Sequence, residues 1–322
     1  MPELSRRAFG KKLAFGAVAA ASFGARAQSA QIDALRVTVL STMLAENGTL
    51  GEWGFSALVE MGPRRFLFDT GAHTDVVLQN AKALKLDLAS VQDVVLSHNH
   101  PDHVGGLVTL RRELMKTDAK ALSVAHIGGG IFQPRYDATG ADRNGLSKLC
   151  ADYEATGGVF RMHDKPEPMM PAAIFTGPVP RPHPEHNWRP GLTLSPGVED
   201  NVPEDSAVIF DTPKGLVVLT GCGHAGIVNI CEYARAKVRN APLEAVIGGL
   251  HVYDATDETI GWTAAQLKSM GMRHLLAAHC TGIESTYKLR AMAGLDGKTA
   301  KVAAVGSIYD LDQGINAGSL VG

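Results

Sequence analysis

The run Ser97-His98-Asn99-His100-Pro101-Asp102-His103 places three imidazoles and one carboxylate within six residues. The apolar, largely β-branched segment Val94-Val95-Leu96 before it reads as a buried strand. Alternate strand residues project to the same side, so His98 and His100 can share one cation. Pro101 breaks the strand and turns the chain, leaving Asp102 and His103 to face a second cation nearby. Imidazole together with carboxylate suits zinc, with manganese or iron as alternatives. A solvated loop that happens to be histidine-rich is the poorer reading, because H-x-H-x-D-H followed at once by Gly105-Gly106 is rare by chance.

Three further histidines stand where an apolar run stops. Leu216-Val217-Val218-Leu219-Thr220-Gly221-Cys222-Gly223-His224 ends a strand in a glycine turn, and Gly221 and Gly223 let the backbone bend so that His224 reaches back over the sheet. Val246-Ile247-Gly248-Gly249-Leu250-His251 and Leu275-Leu276-Ala277-Ala278-His279-Cys280-Thr281-Gly282 repeat the device. One such histidine is usually a surface or packing residue. Three of them beside the H-x-H-x-D-H loop point to one convergent site, since the sites of open α/β sheets gather at strand ends.

The remaining pattern organises the chain into two similar halves. Strands are expected at Leu35–Leu40, at Phe55–Glu60 and Arg65–Phe68 around Gly62-Pro63, and at Val94–Leu96, with helices at Val76–Leu84 and Val104–Leu114. A second hairpin, Ala207–Phe210 and Leu216–Leu219, is followed by a helix at Ile227–Val238, a strand at Ala245–Ile247, a helix at Thr263–Met270, a strand at Leu275–Ala278, a helix at Ser285–Ala293 and a last strand at Val302–Ile308. Hairpins followed by alternating strands and helices, twice over, predict an α/β fold of two stacked sheets with helices outside. Periodicity is lost over about 128–201, which reads as an insertion or lid.

The N-terminus predicts a compartment. Ser5-Arg6-Arg7-Ala8-Phe9-Gly10-Lys11, an apolar stretch from Leu13 to Ala25 and Ala25-Arg26-Ala27 form a twin-arginine export signal, cleaved near Ala27, too short to span a bilayer. The expected partner is the twin-arginine export machinery, the destination the periplasm, and the domain 28–322. The whole chain holds 31 basic and 33 acidic residues; removing five basic residues and one acid with 1–27 leaves 26 against 32, a net charge of −6. That balance, without a basic cluster, argues against nucleic-acid binding, and no later apolar run is long enough for a stable membrane span. The cysteines, Cys150, Cys222, Cys231 and Cys280, are too few for a disulfide scaffold in a chain this long; Cys222 and Cys280 are open to roles as soft ligands, a redox pair or buried fillers.

On these residues the chain resembles the metallo-β-lactamase-fold hydrolases, whose fold is an αββα sandwich of two mixed β-sheets flanked by helices. The shared motif is His98-x-His100-x-Asp102-His103. The branch it is most similar to is that of the dihydropterin-methyl-ribofuranosylaminobenzene-phosphate synthase-like proteins. The matching stretches are Phe68-Asp69-Thr70-Gly71, Thr176-Gly177-Pro178-Val179-Pro180-Arg181, Glu204-Asp205-Ser206-Ala207, Thr220 to Asn229, Gly248-Gly249-Leu250-His251 and His279-Cys280-Thr281-Gly282. The resemblance implies that His98, His100 and His224 hold a first metal, and Asp102, His103 and His279 a second. Many members bridge the two metals with an aspartate; here that strand end carries His251, a poorer bridge, so the site is open to one or two ions.

The chemistry expected is hydrolysis of an ester, lactone or phosphoester small-molecule substrate by metal-activated water. Asp102 is the candidate to orient that water, and His251 to steady the developing charge or donate to the leaving group. Asp69 either holds a ligand histidine from behind or caps the turn at Thr70-Gly71. Arg181, His183, His186 and Trp188 are candidate substrate contacts, or part of a solvated proline-rich loop. His73, His126, His163 and His274 read as surface or packing residues. Two alternatives stand beside hydrolysis: condensation of a pterin with an aryl ribose phosphate, and a non-catalytic metal-binding module.

Overall fold

The computed structural model describes residues 31–185, 187–188 and 190–319; the twin-arginine stretch and His186 lie outside them. The chain runs through β1 (Arg36–Ser41), β2 (Leu44–Ala45), β3 (Ser56–Met61), β4 (Arg64–Phe68), α1 (Val76–Ala83), β5 (Asp93–Leu96), α2 (Pro101–Val104), α3 (Leu107–Leu114), β6 (Val124–Gly128), α4 (Leu146–Glu154) and β7 (Val159–His163). It continues through β8 (Glu167–Met170), β9 (Ala173–Phe175), β10 (Thr193–Ser195), β11 (Val198–Glu199), β12 (Ala207–Thr212), β13 (Gly215–Thr220), α5 (Ile227–Lys237), β14 (Leu243–Gly248), α6 (Asp257–Ser269) and β15 (His274–Ala277). After a 3-10 turn at His279–Thr281 come α7 (Ile283–Ala293), β16 (Ala300–Val302), β17 (Ala304–Val305), β18 (Ile308–Asp310) and β19 (Gly314–Asn316).

Among the described residues, eight strands form one sheet in the order β19-β18-β1-β3-β4-β5-β6-β7, and seven form a second, β16-β15-β14-β13-β12-β9-β8. Both are mixed. β1, β3 and β4 pair antiparallel, whereas β4 through β7 are parallel; β12 and β13 form an antiparallel hairpin, whereas β13 through β16 are parallel. The fold is therefore an α/β sandwich of αββα type, with three apolar layers. α1, α3 and α4 cover the outer face of the first sheet through Val77, Leu107, Leu110 and Tyr153 against Leu67, Val94 and Leu96. The sheets meet through Phe66, Phe68, Val95, Phe210, Val217, Leu219 and Ile247. α5, α6 and α7 cover the second sheet through Ile227, Ile230, Leu267 and Leu289 against Val218, Val246 and Leu275. Parity explains the sorting: Val217 and Leu219 face the other sheet while Leu216 and Val218 face the helices, so these strands read as unbroken apolar runs.

Two expectations change. The last strand, read over Val302–Ile308, is three short strands: β16 extends the second sheet beside β15, β17 pairs with β2, and β18 pairs with β1 in the first sheet. The chain crosses between sheets here, with Gly306 turning at φ 91°. Within 128–201, where the sequence offers no period, α4 packs on the first sheet and β7, β8 and β9 complete the sheet edges. β7 and β8 are short edge strands without alternating burial, and β9 has only three residues, so none shows a period. Only the later part, which holds the β10–β11 hairpin, reaches the site described next.

Candidate metal centre

Parallel strands in both sheets end on the same rim, and the predicted residues converge there. Two triads form. The donor atoms of His98, His100 and His224 lie within 4.8 Å of one another, and so do those of Asp102, His103 and His279. The rings interlock: His98 lies 4.5 Å from His100, 4.2 Å from His103 and 4.7 Å from His224, centroid to centroid, and His103 lies 5.1 Å from His279. His98, His103, His224 and His279 are buried, and Asp102 and His100 are half-buried, toward the cleft.

Hydrogen bonds set which ring nitrogen is free. Ser97 Oγ lies 2.7 Å from Asp69 Oδ2 and 2.9 Å from His98 Nδ1. The hydroxyl has one proton and a carboxylate only accepts, so Ser97 donates to Asp69 and accepts from His98 Nδ1–H. His103 Nδ1 donates to Asp69 Oδ2 at 2.7 Å, and His224 Nδ1 donates to the Asn187 carbonyl. The Nε2 atoms of His98 and His224 are buried without a hydrogen-bond partner, and that of His103 faces Cys222 Sγ at 3.1 Å. Unpartnered buried nitrogens are costly, and imidazoles anchored through their far nitrogen are what metal ligation requires. The donor set therefore fits a divalent cation.

At the first triad, charge agrees with geometry. Burial, reinforced by neighbouring imidazoles, holds His98 and His224 well below the ordinary histidine value and brings His100 to about 4; these rings are neutral, the ligating form. Burial also pulls His103 down, but the carboxylates of Asp102 and Asp69 outweigh it and lift the ring to about 9. Burial pushes Asp102 up, and His103 and His279 overcome it, holding the acid well below the usual carboxylate range. Asp102 Oδ2 is 3.2 Å from His279 Nε2 and 3.8 Å from His103 Nε2.

The backbone is bent to make this rim. Asp69, His251 and His279 take φ of 53°, 49° and 45° although none is glycine, the kind of conformation that clusters at functional sites. A side chain at Gly221 would overlap Ser97 Oγ, so that turn can approach the H-x-H-x-D-H loop only as glycine. His279 is further held by its backbone N–H donating to Thr42 Oγ1 at 3.0 Å and by the Trp53 ring 4.9 Å away.

His251 sits beside His224, 4.5 Å between centroids, with its Nδ1 buried and unpartnered. It lines two cavities. One, about 280 Å³, is bounded by His100, His224, Trp188, Leu192, Asp200 and Val202; the other, about 630 Å³, by His183, Glu185, Asp254, Glu258 and Trp262. Trp188 and His183 thus stand at the cleft, although His183 also pairs with Glu232 at 3.0 Å. Arg181 lines neither cavity: its Nη2 donates to the Val202 carbonyl at 2.7 Å and its guanidinium lies 5.5 Å from the Trp188 ring. It braces the loop from behind. The histidines set aside do have partners away from the rim: His73 with Glu52, His126 with His163 and Asp93, and His274 with Glu244.

Asp69 emerges as a support for two candidate ligand rings rather than a turn cap. Ser97, Asn187, Thr42 and Trp53 carry supporting roles that the sequence did not single out. Ser97 alone had a signal, its place immediately before the histidine run.

A family profile described as the Metallo-beta-lactamase superfamily matches residues 54–238. A 7,8-dihydropterin-6-methyl-4-(beta-D-ribofuranosyl)-aminobenzene-5'-phosphate synthase of Methanocaldococcus jannaschii is 31% identical over 245 residues, covering 72% of this chain and 82% of its own. The crystal structure of Tm1679, described as a metal-dependent hydrolase of the beta-lactamase superfamily, superposes with a TM-score of 0.64 at 26% identity, covering 80% of this chain and 93% of that one. The metallo-beta-lactamase fold protein YhfI of Bacillus subtilis shares the fold at 14% identity and a TM-score of 0.52, over 86% of this chain and 100% of its own.

Proposed function

The chain belongs to the metallo-beta-lactamase superfamily, and from that premise we propose that it is a metal-dependent hydrolase of a carboxylic ester or lactone. The observation that carries the reading is the pair of triads, with the Nε2 atoms of His98 and His224 buried and unpartnered and the first triad open to a cavity through His100 and His224. His98, His100 and His224 would hold one ion, and Asp102, His103 and His279 a second; zinc fits this borderline donor set best. A bound divalent ion supplies Lewis acidity that polarises a carbonyl and acidifies water. Asp102, kept ionised by His103 and His279, accepts a hydrogen bond from the attacking water and fixes its direction. His251 stands beside the first triad with an unpartnered Nδ1 and is placed to donate to the oxygen that gains charge or departs. Trp188, Leu192 and Val202 offer an apolar wall. Asp254 and Glu258 line the wider cavity, whereas Asp200 is already paired with Arg135 at 2.9 Å.

A second reading is condensation of a pterin with an aryl ribose phosphate, favoured by the 31% identical relative that carries that name. The apolar wall of the smaller cavity, Trp188, Leu192 and Val202, favours the first reading. The test is the zinc-loaded protein against esters, lactones and phosphodiesters, beside an assay for pterin–aminobenzene product. Ester or lactone hydrolysis abolished in His98→Ala together with bound zinc supports the first reading. Condensation without hydrolysis overturns it.

Export by the twin-arginine route is part of the proposal, resting on Arg6-Arg7 and Ala25-Arg26-Ala27. A reporter fused behind residues 1–27 should reach the periplasm and stay inside when Arg6 and Arg7 are both changed to lysine.

A further inference from the structure

One donor atom lies within the reach of both triads. The Sγ of Cys222 forms groups, each with mutual donor distances within 4.8 Å, with His98 and His103, with His224 and His251, and with His279 and Cys280. Its neighbours therefore include His98 and His224 from the first triad and His103 and His279 from the second. Sγ is 3.1 Å from His103 Nε2, and the residue is only 2% exposed. A buried cysteine that merely fills space is surrounded by apolar atoms; this one is ringed by imidazole nitrogens. The turn that carries it is built for close approach, since Gly221 packs against Ser97 and Asp69 where a side chain would overlap them. Neutral His251 has one ring nitrogen free to accept and the other carrying a proton, so it cannot bridge two cations. A thiolate sulfur has lone pairs enough for two.

We propose that Cys222 is a metal ligand whose thiolate is shared between the two cation positions, taking the place of a bridging carboxylate. This rests on the metal-centre reading above and adds a soft donor to it. Ligation replaces the S–H proton, which passes to solvent. A shared sulfur favours zinc, cobalt or iron over magnesium or calcium. Cys280, whose Sγ lies 3.7 Å from the Cys222 carbonyl oxygen, packs behind that turn and is not required as a bridge.

Cobalt(II) titration of the full-length protein, followed by absorption, tests this without recourse to activity. The expected result is an intense near-ultraviolet sulfur-to-cobalt band that grows through both equivalents. Cys222→Ser should lose the band and one of the two bound ions, while Cys280→Ala keeps both; circular dichroism checks that each variant is folded, and the wild-type spectrum decides even if a variant is not. Visible bands of nitrogen- and oxygen-bound cobalt without the sulfur band in the wild type overturn the proposal and leave the metal centre standing. So does a sulfur band that survives Cys222→Ser and vanishes in Cys280→Ala, or one that saturates after the first equivalent. Wild-type protein that takes up no cobalt overturns both readings.

Discussion

Asp69 stands at the crossing of three hydrogen bonds: its Oδ1 accepts from the Ser97 backbone N–H at 2.8 Å, and its Oδ2 from Ser97 Oγ and His103 Nδ1, each at 2.7 Å. One carboxylate thus orients His103 directly and His98 through a hydroxyl. Asparagine keeps the shape but has only one acceptor oxygen. Asp69→Asn should therefore weaken zinc roughly 10–100-fold, read by competition with a chromogenic chelator; unchanged affinity would refute the supporting role. The convergence of these histidines was legible, because spacing and strand ends are written in the chain. Their anchors were not. Asn187 reaches His224 through a backbone carbonyl, and Thr42 reaches His279 from 237 positions away, contacts that no local pattern encodes.

Elements decide how firmly the rim is held. Phe210 of β12 stacks on Phe66 of β4 with centroids 6.2 Å apart, joining the two sheets that each supply ligands. Phe210→Ala should cost about 3–5 kcal/mol, measured by denaturant unfolding. Beside the site, the buried Arg135 guanidinium lies 2.6 Å from Glu204 and 2.9 Å from Asp200. One cation between two acids leaves an excess negative charge, and burial pushes Glu204 up to about 7 from 4.5. The folded state holds that proton where the unfolded chain has lost it, so the stabilisation is full below the unfolded value and fades as pH rises through about 7. Glu204→Gln, which has no proton to lose, should flatten the fall in Tm between pH 5 and pH 7. An unaltered slope would place the protonation elsewhere. Long strands such as β12 and β13 were legible from unbroken apolar runs; β7 and β8 were not, because partly exposed edge strands have no strong period, nor was β9, a buried inner strand of only three residues.

At the scale of the whole molecule, the first half of the chain gives His98, His100, Asp102 and His103, and the second gives His224, His251 and His279. Ions bound across that seam hold the folded form and not the unfolded one. With free zinc at about a hundred times Kd, linkage contributes about 2.7 kcal/mol, so chelation should lower Tm and zinc should restore it; a Tm indifferent to both would contradict the assigned ligands. The sandwich architecture was readable from hairpins repeated in each half. The crossing of the last segment between sheets was not, since β16, β17 and β18 are too short and closely spaced to read apart from one β-branched run.

The two half-sites also differ in time of birth. About 120 residues separate His103 from His224, and a ribosome adding roughly 5–20 residues per second makes the earlier cluster wait about 6–24 s for its complement. During synthesis the first four donors leave the tunnel with no counterpart, and assembly of the full cage is obliged to be a late event.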